Sequence, residues 1–493
     1  MRRAWMVADM GIEVTRADQY VRTNDKRMAF HFGNVVASEG AHHFLDLGLS
    51  VEGEPADGVS MVGIAPLWFL KDPDLSLTAA NEQLLEVFEA ACEHALALDP
   101  AETPFDLWHK LYERQREWAA DTSHPPLLWA YGVSMVEQAV IDAYCRHRET
   151  TFADAVREGA LGIEPGRIYP ELGDEPAAYL PGKPTREAAV RHTVGLTDPL
   201  TRDEIDPEDR LDDGLPQSLE AYVEDDGVDH FKIKLSADEA RDAERLARIG
   251  EVLAASGLDE YFCTVDANEQ YESVDEFKAQ WERHVENPAL APVIDRVAYV
   301  EQPLPRGRAL TEETGAVLRE WVERPSIIID ESDDGLDSAG RAIDLGYAGT
   351  SHKNCKGVFK GVINRCLIEK RRREAGTDDP EYVMSGEDLT TIGPVELLHD
   401  LAVMGTLGMD HVERNGHHYY RGLSFLPVDL QETVLDAHGD LYERHDDGFV
   451  ALSVDDGRMS FGSVVDAPFG RDFELDLGRF TPLSRWTPES IVD

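Results

Sequence analysis

Five lysine and carboxylate residues stand at the ends of successive strand-like segments in the second half of this chain. Lys234 closes HFKIKL, Asp266 closes YFCTVD, Glu301 closes VAYVE, Asp330 closes SIIID, and Lys353 follows GTSH. The steps between them are 32, 35, 29 and 23 residues, about one strand, one helix and two loops of a parallel β/α unit. Parallel strands in a barrel have their carboxyl ends at one mouth, so the sequence predicts that these side chains converge there.

The residue types indicate proton chemistry beside a divalent cation. Asp266, Glu301 and Asp330 offer hard oxygen ligands that suit a hexacoordinate Mg2+, with Mn2+ as the alternative ion. A cation chelated by a substrate carboxylate stabilises the charge that develops when the adjacent α-proton is removed. Lys234 and Lys353 lie on strands on opposite sides of the carboxylates, which predicts two bases on opposite faces of the substrate.

The elements that must position these residues repeat as strand and helix from about residue 190. Alternating β and α elements with short loops predict parallel strands, and a closed barrel covers both faces of such a sheet. The predicted fold is therefore α/β, a (β/α)8-type barrel. Its eight candidate strands are AAVRHTVGL, HFKIKL, YFCTVDA, VAYVEQP, SIIIDES, GTSHKNC, EYVMSGE and GMDHVER.

The barrel is predicted to be the middle of three regions. Residues 1–185 begin β-rich and continue with three helical segments, which indicates an α+β domain in front of the barrel. The barrel takes residues 186–428. Residues 429–493 return to short strand-like pieces such as FVALSV, and we expect this segment to pack back on the first domain.

Composition narrows the class of protein and its partners. Asp and Glu number 96 against 47 Lys and Arg, a formal charge of −49 that is spread along the chain. Such a surface stays hydrated in high salt, so a salt-loving cytoplasm is the first interpretation. Disorder is disfavoured because 42% of the residues are hydrophobic and periodic, and nucleic acid is disfavoured by the charge.

The cysteines and the amino terminus point to the same compartment. The five cysteines show no CxxC motif or regular spacing, which favours reduced thiols over a disulfide framework. No segment approaches the ~20 apolar residues of a membrane span, and MRRAWMVADMGIEV lacks a sustained apolar core. We expect a cytoplasmic protein that does not enter a membrane.

The strand-end motifs resemble those of the enolase superfamily, within it the muconate lactonizing enzyme and mandelate racemase-like proteins. KIK resembles the KxK of the second strand, DAN and VEQP the third and fourth, IDES the fifth, and KNCKG the lysine strand. The resemblance implies a capping domain before the barrel, metal ligands at Asp266, Glu301 and Asp330, and paired bases at Lys234 and Lys353. The family's members often associate, so a homo-oligomer is an expectation.

Several further residues are candidates for contacts around this centre. Lys232 is expected to polarise the substrate carboxylate. KNCKG lacks the Gly-Gly that commonly follows the lysine strand, which leaves Lys353 and Lys356 as alternatives, and strand alternation favours Lys353. The other candidates are Asn268 and Glu331 beside the ligands, Glu387, His411 and Glu413 on the last two strands, and Arg27, His31 and Lys71 in loops of the first domain. His417 and His418 are expected at the surface, and Trp68 and Phe69 in a core.

The predicted function is a Mg2+-dependent enzyme that removes the α-proton of a small carboxylate substrate and forms its enolate. Two lysines on opposite faces suit a racemase or epimerase, and one of them suffices for a cycloisomerase or a syn-elimination. An acid-sugar dehydratase is the alternative, but by the same resemblance it needs a histidine on the seventh strand, and MSGEDL has none. A barrel that binds metal and ligand without turnover is the second alternative.

Overall fold

The first domain is built on a meander of three long antiparallel strands. The structure is a computed structural model that describes residues 11–32, 35–173, 175–376 and 381–491, with the backbone alone at 29–32 and 35–38. β1 pairs with β2 from Ile12 opposite Val51, and β2 pairs with β3 from Val51 opposite Glu54. Buried Ile12 and Val14 alternate with exposed residues at the start of β1, whereas most of β2 from Ala41 to Leu49 is buried. The strands are β1 (Ile12–Phe32), β2 (Val35–Val51) and β3 (Glu54–Gly63).

Three helices cover this sheet, and a fourth packs on the third. Ser76 and Thr103 cap the first two, because each side-chain oxygen accepts a hydrogen bond from a backbone N–H in the first turn. The third is apolar almost all round and lies against β3 at Gly58, where a Cβ atom would come within 2.2 Å of Ala139 O. The helices are α1 (Leu77–Leu96), α2 (Pro104–Ala119), α3 (Pro126–His147) and α4 (Phe152–Arg157).

Eight parallel strands form a closed barrel. Each pairs with its neighbour in sequence, and β11 returns to β4 through His411 opposite Ala189. The strands are β4 (Glu187–Val194), β5 (His230–Lys234), β6 (Phe262–Asp266), β7 (Val297–Glu301), β8 (Ile327–Ile329), β9 (Gly349–His352), β10 (Val383–Gly386) and β11 (His411–Glu413). The predicted barrel behind an α+β domain is confirmed. Seven strands lie within the predicted segments, and β4 begins one residue before its segment, at Glu187.

Helices between the strands bury one apolar side against the barrel. In α6, for example, Leu246, Ile249 and Leu253 are buried while the opposite side is charged and exposed. The helices of the barrel region are α5 (Leu219–Asp226), α6 (Glu239–Ala255), α7 (Val274–Glu286), α8 (Ala291–Ile294), α9 (Arg306–Ala309), α10 (Glu312–Glu320), α11 (Ser338–Leu345), α12 (Val358–Glu374), α13 (Glu396–Leu407) and α14 (Gly416–Tyr419).

The C-terminal segment touches both domains. β14 pairs antiparallel with β4 of the barrel, and β15 pairs antiparallel with β1 of the first sheet at Tyr20 and Val21. Arg471 lies buried against Asp142 of α3 at 2.7 Å. The elements are α15 (Val428–Ala437), β12 (Tyr442–Arg444), β13 (Val450–Leu452), β14 (Arg458–Ser460), α16 (Gly462–Asp466) and β15 (Thr481–Pro482).

None of the helices in the described residues combines the length and the apolar character needed to cross a lipid bilayer.

Candidate active site

The strand register brings the predicted site residues to one end of the barrel. Lys234 of β5 is the register partner of Asp266 of β6, and Asp266 is the partner of Glu301 of β7. Asp330 follows β8 directly, and Lys353 follows β9. All five therefore stand at the carboxyl ends of five adjacent strands, as the sequence predicts.

Lys232 lies two residues deeper in β5 and is almost fully buried, with 1% of its side chain exposed. Its ammonium group is 3.1 Å from Asp266, 2.8 Å from Glu301 and 3.2 Å from Glu413, and it also contacts Glu387. Burial disfavours the charged form, but the four carboxylates outweigh it and hold the pKa of Lys232 well above its usual value. Lys232 is thus the cation around which these carboxylates gather.

A second buried cluster surrounds Asp330. Its carboxylate accepts hydrogen bonds from Lys353 Nζ and Ser351 Oγ, both at 2.5 Å, and from Lys356 Nζ at 3.2 Å. Burial alone would raise the pKa of Asp330, but the two lysines dominate and lower it well below the usual value. The same contact, opposing desolvation, raises the pKa of Lys353.

The loop that carries Lys353 and Lys356 is held by the first domain. Ser134 of α3 donates to the backbone oxygen of Asn354, and the buried carboxylate of Glu137 accepts from the amides of Val358 and Phe359 at 3.0 and 2.6 Å. Glu137 therefore satisfies the free N–H groups at the start of α12. This side of the barrel mouth is fixed by α3 as well as by the barrel.

Lys234 occupies the outer edge of the site. Its ammonium group donates to Asp266 Oδ2 and to Asn268 Oδ1, each at 2.6 Å, and 23% of its side chain is exposed. Asn268 in turn donates to Glu331 Oε1 at 3.2 Å. Lys71 from the first domain lies 3.4 Å from that same oxygen, so the predicted loop residue does reach the barrel mouth.

Glu301 differs from the other carboxylates. It is completely buried, and neither carboxylate oxygen has a hydrogen-bond donor in suitable geometry, although the Lys232 ammonium group is close. Burial, followed by the repulsion of Asp266 and Glu387, raises the pKa of Glu301 well above its usual value. A buried carboxylate in this state lacks a partner that a metal cation can supply.

The residues present fit a divalent cation in their chemistry. Hard oxygen donors from three adjacent strands, one of them without a hydrogen-bond donor, are the ligand type of Mg2+. As arranged, however, no three His, Cys, Asp or Glu side chains within the described ranges are placed to hold a metal ion. Ammonium groups lie on the oxygens of Asp266 and Asp330 instead.

Arg191 of β4 is a residue that the sequence argument missed. It is fully buried, contacts Glu387, and donates to Tyr299 Oη at 2.8 Å and Ser385 Oγ at 2.9 Å. Nη1 of Arg191 also lies 2.6 Å from Nδ1 of His411, so His411 belongs to the same network. The signal was available in AAVRHTVGL, where an arginine stands inside a predicted barrel strand.

A loop of the first domain covers the Lys353 side of the mouth. The ring of Trp68 lies over Lys353, with 4.4 Å from Nζ to the ring centroid, and the indole N–H is buried without a partner. Arg306 fastens the loop by donating to Phe69 O at 3.2 Å and pairing with Glu269 at 2.9 Å. Trp68 and Phe69 are buried as expected, and Trp68 also faces the site.

Backbone strain gathers in the loops that follow the barrel strands. Asn268 and Glu269 after β6, and Gln302 after β7, have φ angles of 41°, 71° and 37°, in the left-handed region. Non-glycine residues adopt this region rarely, and such residues concentrate at functional sites. Asn268 uses the conformation to place its amide between Lys234 and Glu331.

The remaining candidates fall outside the carboxylate cluster or outside the described residues. The expectation that Arg27 stands in a loop is wrong, because β1 continues to Phe32 and contains it. Its guanidinium group pairs with Asp213 at 2.8 Å and donates to His418 O at 2.9 Å, so it ties the first domain to the barrel loops. The expectation of surface positions for His417 and His418 is wrong. His418 is 4% exposed and bonds Tyr222 at 2.5 Å, and both ring nitrogens of His417 are buried. The side chain of His31 lies outside the described residues.

Comparison with known proteins finds likeness in structure and none in sequence. No family model and no curated protein sequence matches the chain. A Bradyrhizobium protein described as an enolase, complexed with magnesium and mandelic acid, aligns with a TM-score of 0.55 at 15% identity, over 91% of this chain and 93% of its own. The fold is that of the enolase superfamily.

Two further solved structures with this fold are of enzymes named for different reactions. Muconate lactonizing enzyme from Pseudomonas fluorescens, complexed with muconolactone, aligns with a TM-score of 0.56 at 13% identity, over 92% of this chain and 94% of its own. A dipeptide epimerase from Enterococcus faecalis, complexed with Mg and L-Leu-L-Tyr, aligns at 0.54 and 12%, over 83% and 92%. Because the sequence identities are this low, the structural likeness shows the fold of this chain and does not determine its reaction.

Proposed function

We propose that this chain is an enolase-superfamily enzyme that uses Mg2+ to remove the proton α to a substrate carboxylate, with racemisation, epimerisation or cycloisomerisation as the net reaction. The observation that carries the proposal is the placement of two lysines at the flanks of three strand-end carboxylates. Lys234 lies on Asp266 at one flank and Lys353 lies on Asp330 at the other, with Glu301 between them.

Asp266, Glu301 and Asp330 are the residues that would hold the ion. When bound, Mg2+ supplies the positive charge that stabilises the enolate of a carboxylate substrate. Glu301 gains most from this role, because its buried oxygens have no hydrogen-bond donor in the present arrangement.

The lysines supply the proton transfers. In a racemisation, the neutral amine of one lysine takes the α-proton from one face, and the ammonium group of the other returns a proton to the opposite face. Asp330 stabilises the protonated form of Lys353 in this arrangement. Lys353 can therefore act as a base only when the carboxylate of Asp330 no longer contacts its amine. Cycloisomerisation needs one lysine for its single proton transfer.

Lys232 has a supporting role in this proposal. Its ammonium group touches Asp266 and Glu301 on one side and Glu387 and Glu413 on the other, so it fixes the ligand carboxylates from below. A contact with the substrate carboxylate, the role predicted for Lys232 from the sequence, then has to compete with four protein carboxylates.

The structural relatives support the substrate class. The mandelic acid, muconolactone and dipeptide bound to them each contain a carboxyl group, and two of the three structures include magnesium. The seventh strand of this barrel weighs against an acid-sugar dehydratase, because Ser385 and Glu387 there bond Arg191 and no histidine is present. A barrel that binds a small molecule without turnover is the second candidate. It is favoured by the ammonium groups of Lys234 and Lys353, which lie on the carboxylate oxygens of Asp266 and Asp330.

Exchange of substrate α-protons with solvent deuterium tests the proposal. The protein is incubated with Mg2+ in D2O and molar KCl with panels of amino-acid derivatives, dipeptides, sugar acids and lactone-forming dicarboxylates, and the α-proton signal is followed by NMR. We expect exchange in one class, lost after removal of Mg2+ by EDTA. It should also be lost in Lys234→Ala or in Lys353→Ala, in both variants for a racemase or epimerase and in one of them for a cycloisomerase.

Lys278→Ala is the matched control, because Lys278 forms an exposed pair with Glu282 on α7, away from the mouth. It should exchange at the wild-type rate. If Lys353→Ala and Lys234→Ala alter substrate affinity but leave the exchange rate unchanged, the lysines bind without acting as bases, and the non-catalytic candidate replaces this one.

A further inference from the structure

A cavity of about 160 Å3 lies beneath the C-terminal hairpin β12–β13. Its walls come from the loop after β4, the loops after β10 and β11, and the hairpin itself. None of the predicted ligands or bases lines it, so it is separate from the candidate active site. Most of its surface is apolar, contributed by Leu215, Ile392, Leu397, Leu423, Leu452 and Val454.

Three side chains in the wall of this cavity carry buried polar atoms that lack hydrogen-bond partners. The hydroxyl of Tyr442, which is 3% exposed, and Nε of Arg414, which is 1% exposed, are buried donors without an acceptor. Both ring nitrogens of His417, one a donor and one an acceptor in the neutral ring, are also buried without a partner. Buried donors are rarely left unpaired, because each loses its hydrogen bonds to water on folding.

The unpaired Nε of Arg414 is not a sign of a free positive charge. Its Nη2 donates to Asp400 at 2.5 Å and Asp388 lies 3.7 Å from Nη1, so two carboxylates already balance the guanidinium group. Asp226 and Glu443 also line the cavity and add negative charge. An anion is therefore disfavoured, and an uncharged acceptor oxygen suits the donors better.

The volume sets the size of the occupant. An engineered apolar cavity of about 150 Å3 takes up benzene, so this one accommodates a single ring or a branched chain of similar bulk. We propose that the cavity is a binding site for a small, uncharged, largely apolar molecule that presents a hydrogen-bond-accepting oxygen, a ketone, ester or phenol, to Tyr442 and Arg414.

The position of the site gives it contact with the loops of the active site. Arg414 is adjacent to Glu413, and Thr391 shares Asp388 with Asn415 through hydrogen bonds of 2.7 and 2.6 Å. Glu387 precedes Asp388, and both Glu387 and Glu413 contact Lys232. A ligand in the cavity therefore lies against the two loops that hold the buried lysine from one side.

Three probes of one shape test the proposal by titration calorimetry: acetophenone, which carries an acceptor oxygen, ethylbenzene, which lacks it, and benzoate, which is charged. We expect the wild-type protein to bind acetophenone more tightly than ethylbenzene. In Tyr442→Phe, acetophenone should bind about five-fold more weakly, the effect of one hydrogen bond, with ethylbenzene unchanged. Any benzoate that binds at the active site should bind equally well in Tyr442→Phe. A failure of the cavity proposal is therefore distinct from a failure of the proposed function.

The variant itself should fold, because the Tyr442 hydroxyl has no partner to lose. Tyr347→Phe is the matched control, since that buried hydroxyl donates to Ala309 O at 2.9 Å far from the cavity. It should bind acetophenone as the wild type does. Ala451→Leu, which adds three carbon atoms at the cavity wall, should abolish binding.

Two results would overturn the proposal. One is acetophenone affinity that is unchanged in both Tyr442→Phe and Ala451→Leu, or no greater than that of ethylbenzene. The other is a crystal structure, grown with acetophenone, in which ordered water alone bonds Tyr442 and Arg414.

Discussion

Replacing Lys232 by methionine removes the ammonium group around which four buried carboxylates gather. Methionine keeps much of the length and bulk of the side chain, so packing changes little. Removing one partner of a buried ion pair costs about 3–5 kcal/mol, and Lys232 touches Asp266, Glu301, Glu387 and Glu413 at once. We expect Lys232→Met to lower the free energy of unfolding by at least that amount at about pH 8, a large share of the 5–15 kcal/mol typical of a domain.

The loss should depend on pH with a definite sign. Without the ammonium group, the repelling carboxylates acquire pKa values in the native state above those of the unfolded chain. The native state then binds more protons, so stability falls as pH rises, by about 1.4 kcal/mol per unit for each carboxyl group that titrates. The defect of Lys232→Met should therefore be smaller at about pH 5 than at about pH 8.

Urea unfolding followed by circular dichroism, in molar KCl with EDTA, measures both effects. Lys278→Met is the control, because exposed pairs such as Lys278 with Glu282 contribute less than about 1 kcal/mol. If Lys232→Met is as stable as this control at the higher pH, Lys232 is not the counter-ion of the four carboxylates and the description of the barrel interior fails.

Three other expectations concern Glu137, Arg27 and the net charge of the chain. Burial raises the pKa of Glu137 to about 8. Between the ordinary glutamate pKa and about 8 the native state therefore holds one proton more than the unfolded chain, and the free energy of unfolding falls as pH rises. Glu137→Gln should flatten that slope in urea unfolding, and an unchanged slope would contradict the assignment. Arg27→Lys should lower the unfolding temperature and expose the 198–216 loop to proteases, because the paired contact with Asp213 is lost, whereas equal digestion of variant and wild type would show that Arg27 does not hold the loop. With a formal charge of −49, the unfolding temperature should rise from low to molar KCl as the screening length falls from about 10 to about 3 Å, and an equal rise in sorbitol would exclude screening as the cause.

The barrel could be predicted from sequence because its signals are local. Strands β6, β7 and β8 are short apolar runs that end in a carboxylate or are followed directly by one, as in SIIID, and helices such as α7 have their own period and cap. Register then follows, since residues at the carboxyl ends of neighbouring parallel strands must lie side by side. The placement of Asp266 beside Glu301 needed nothing more.

The partners of the buried charges could not be predicted, because they come from distant parts of the chain. Lys232 contacts Glu387 and Glu413, 155 and 181 residues away. The burial of His418 depends on Tyr222 and on Arg27 from the first domain. A turn followed by two histidines carries no sign of either neighbour, so a surface position was the natural but wrong expectation.

The hydrogen bonds distinguish the two lysines that the sequence left as alternatives. Lys356 Nζ donates to Ser351 O at 2.7 Å, Ser351 Oγ at 2.9 Å and Asp330 Oδ1 at 3.2 Å, so three acceptors fix it below the mouth. Lys353 Nζ has Asp330 on one side and the indole face of Trp68 on the other. Asp330 keeps the charge of Lys356 beside it when Lys353 turns away. Asp330 would therefore stay compensated if Lys353 gave up its proton, which favours Lys353 over Lys356 as the base in the proposed function.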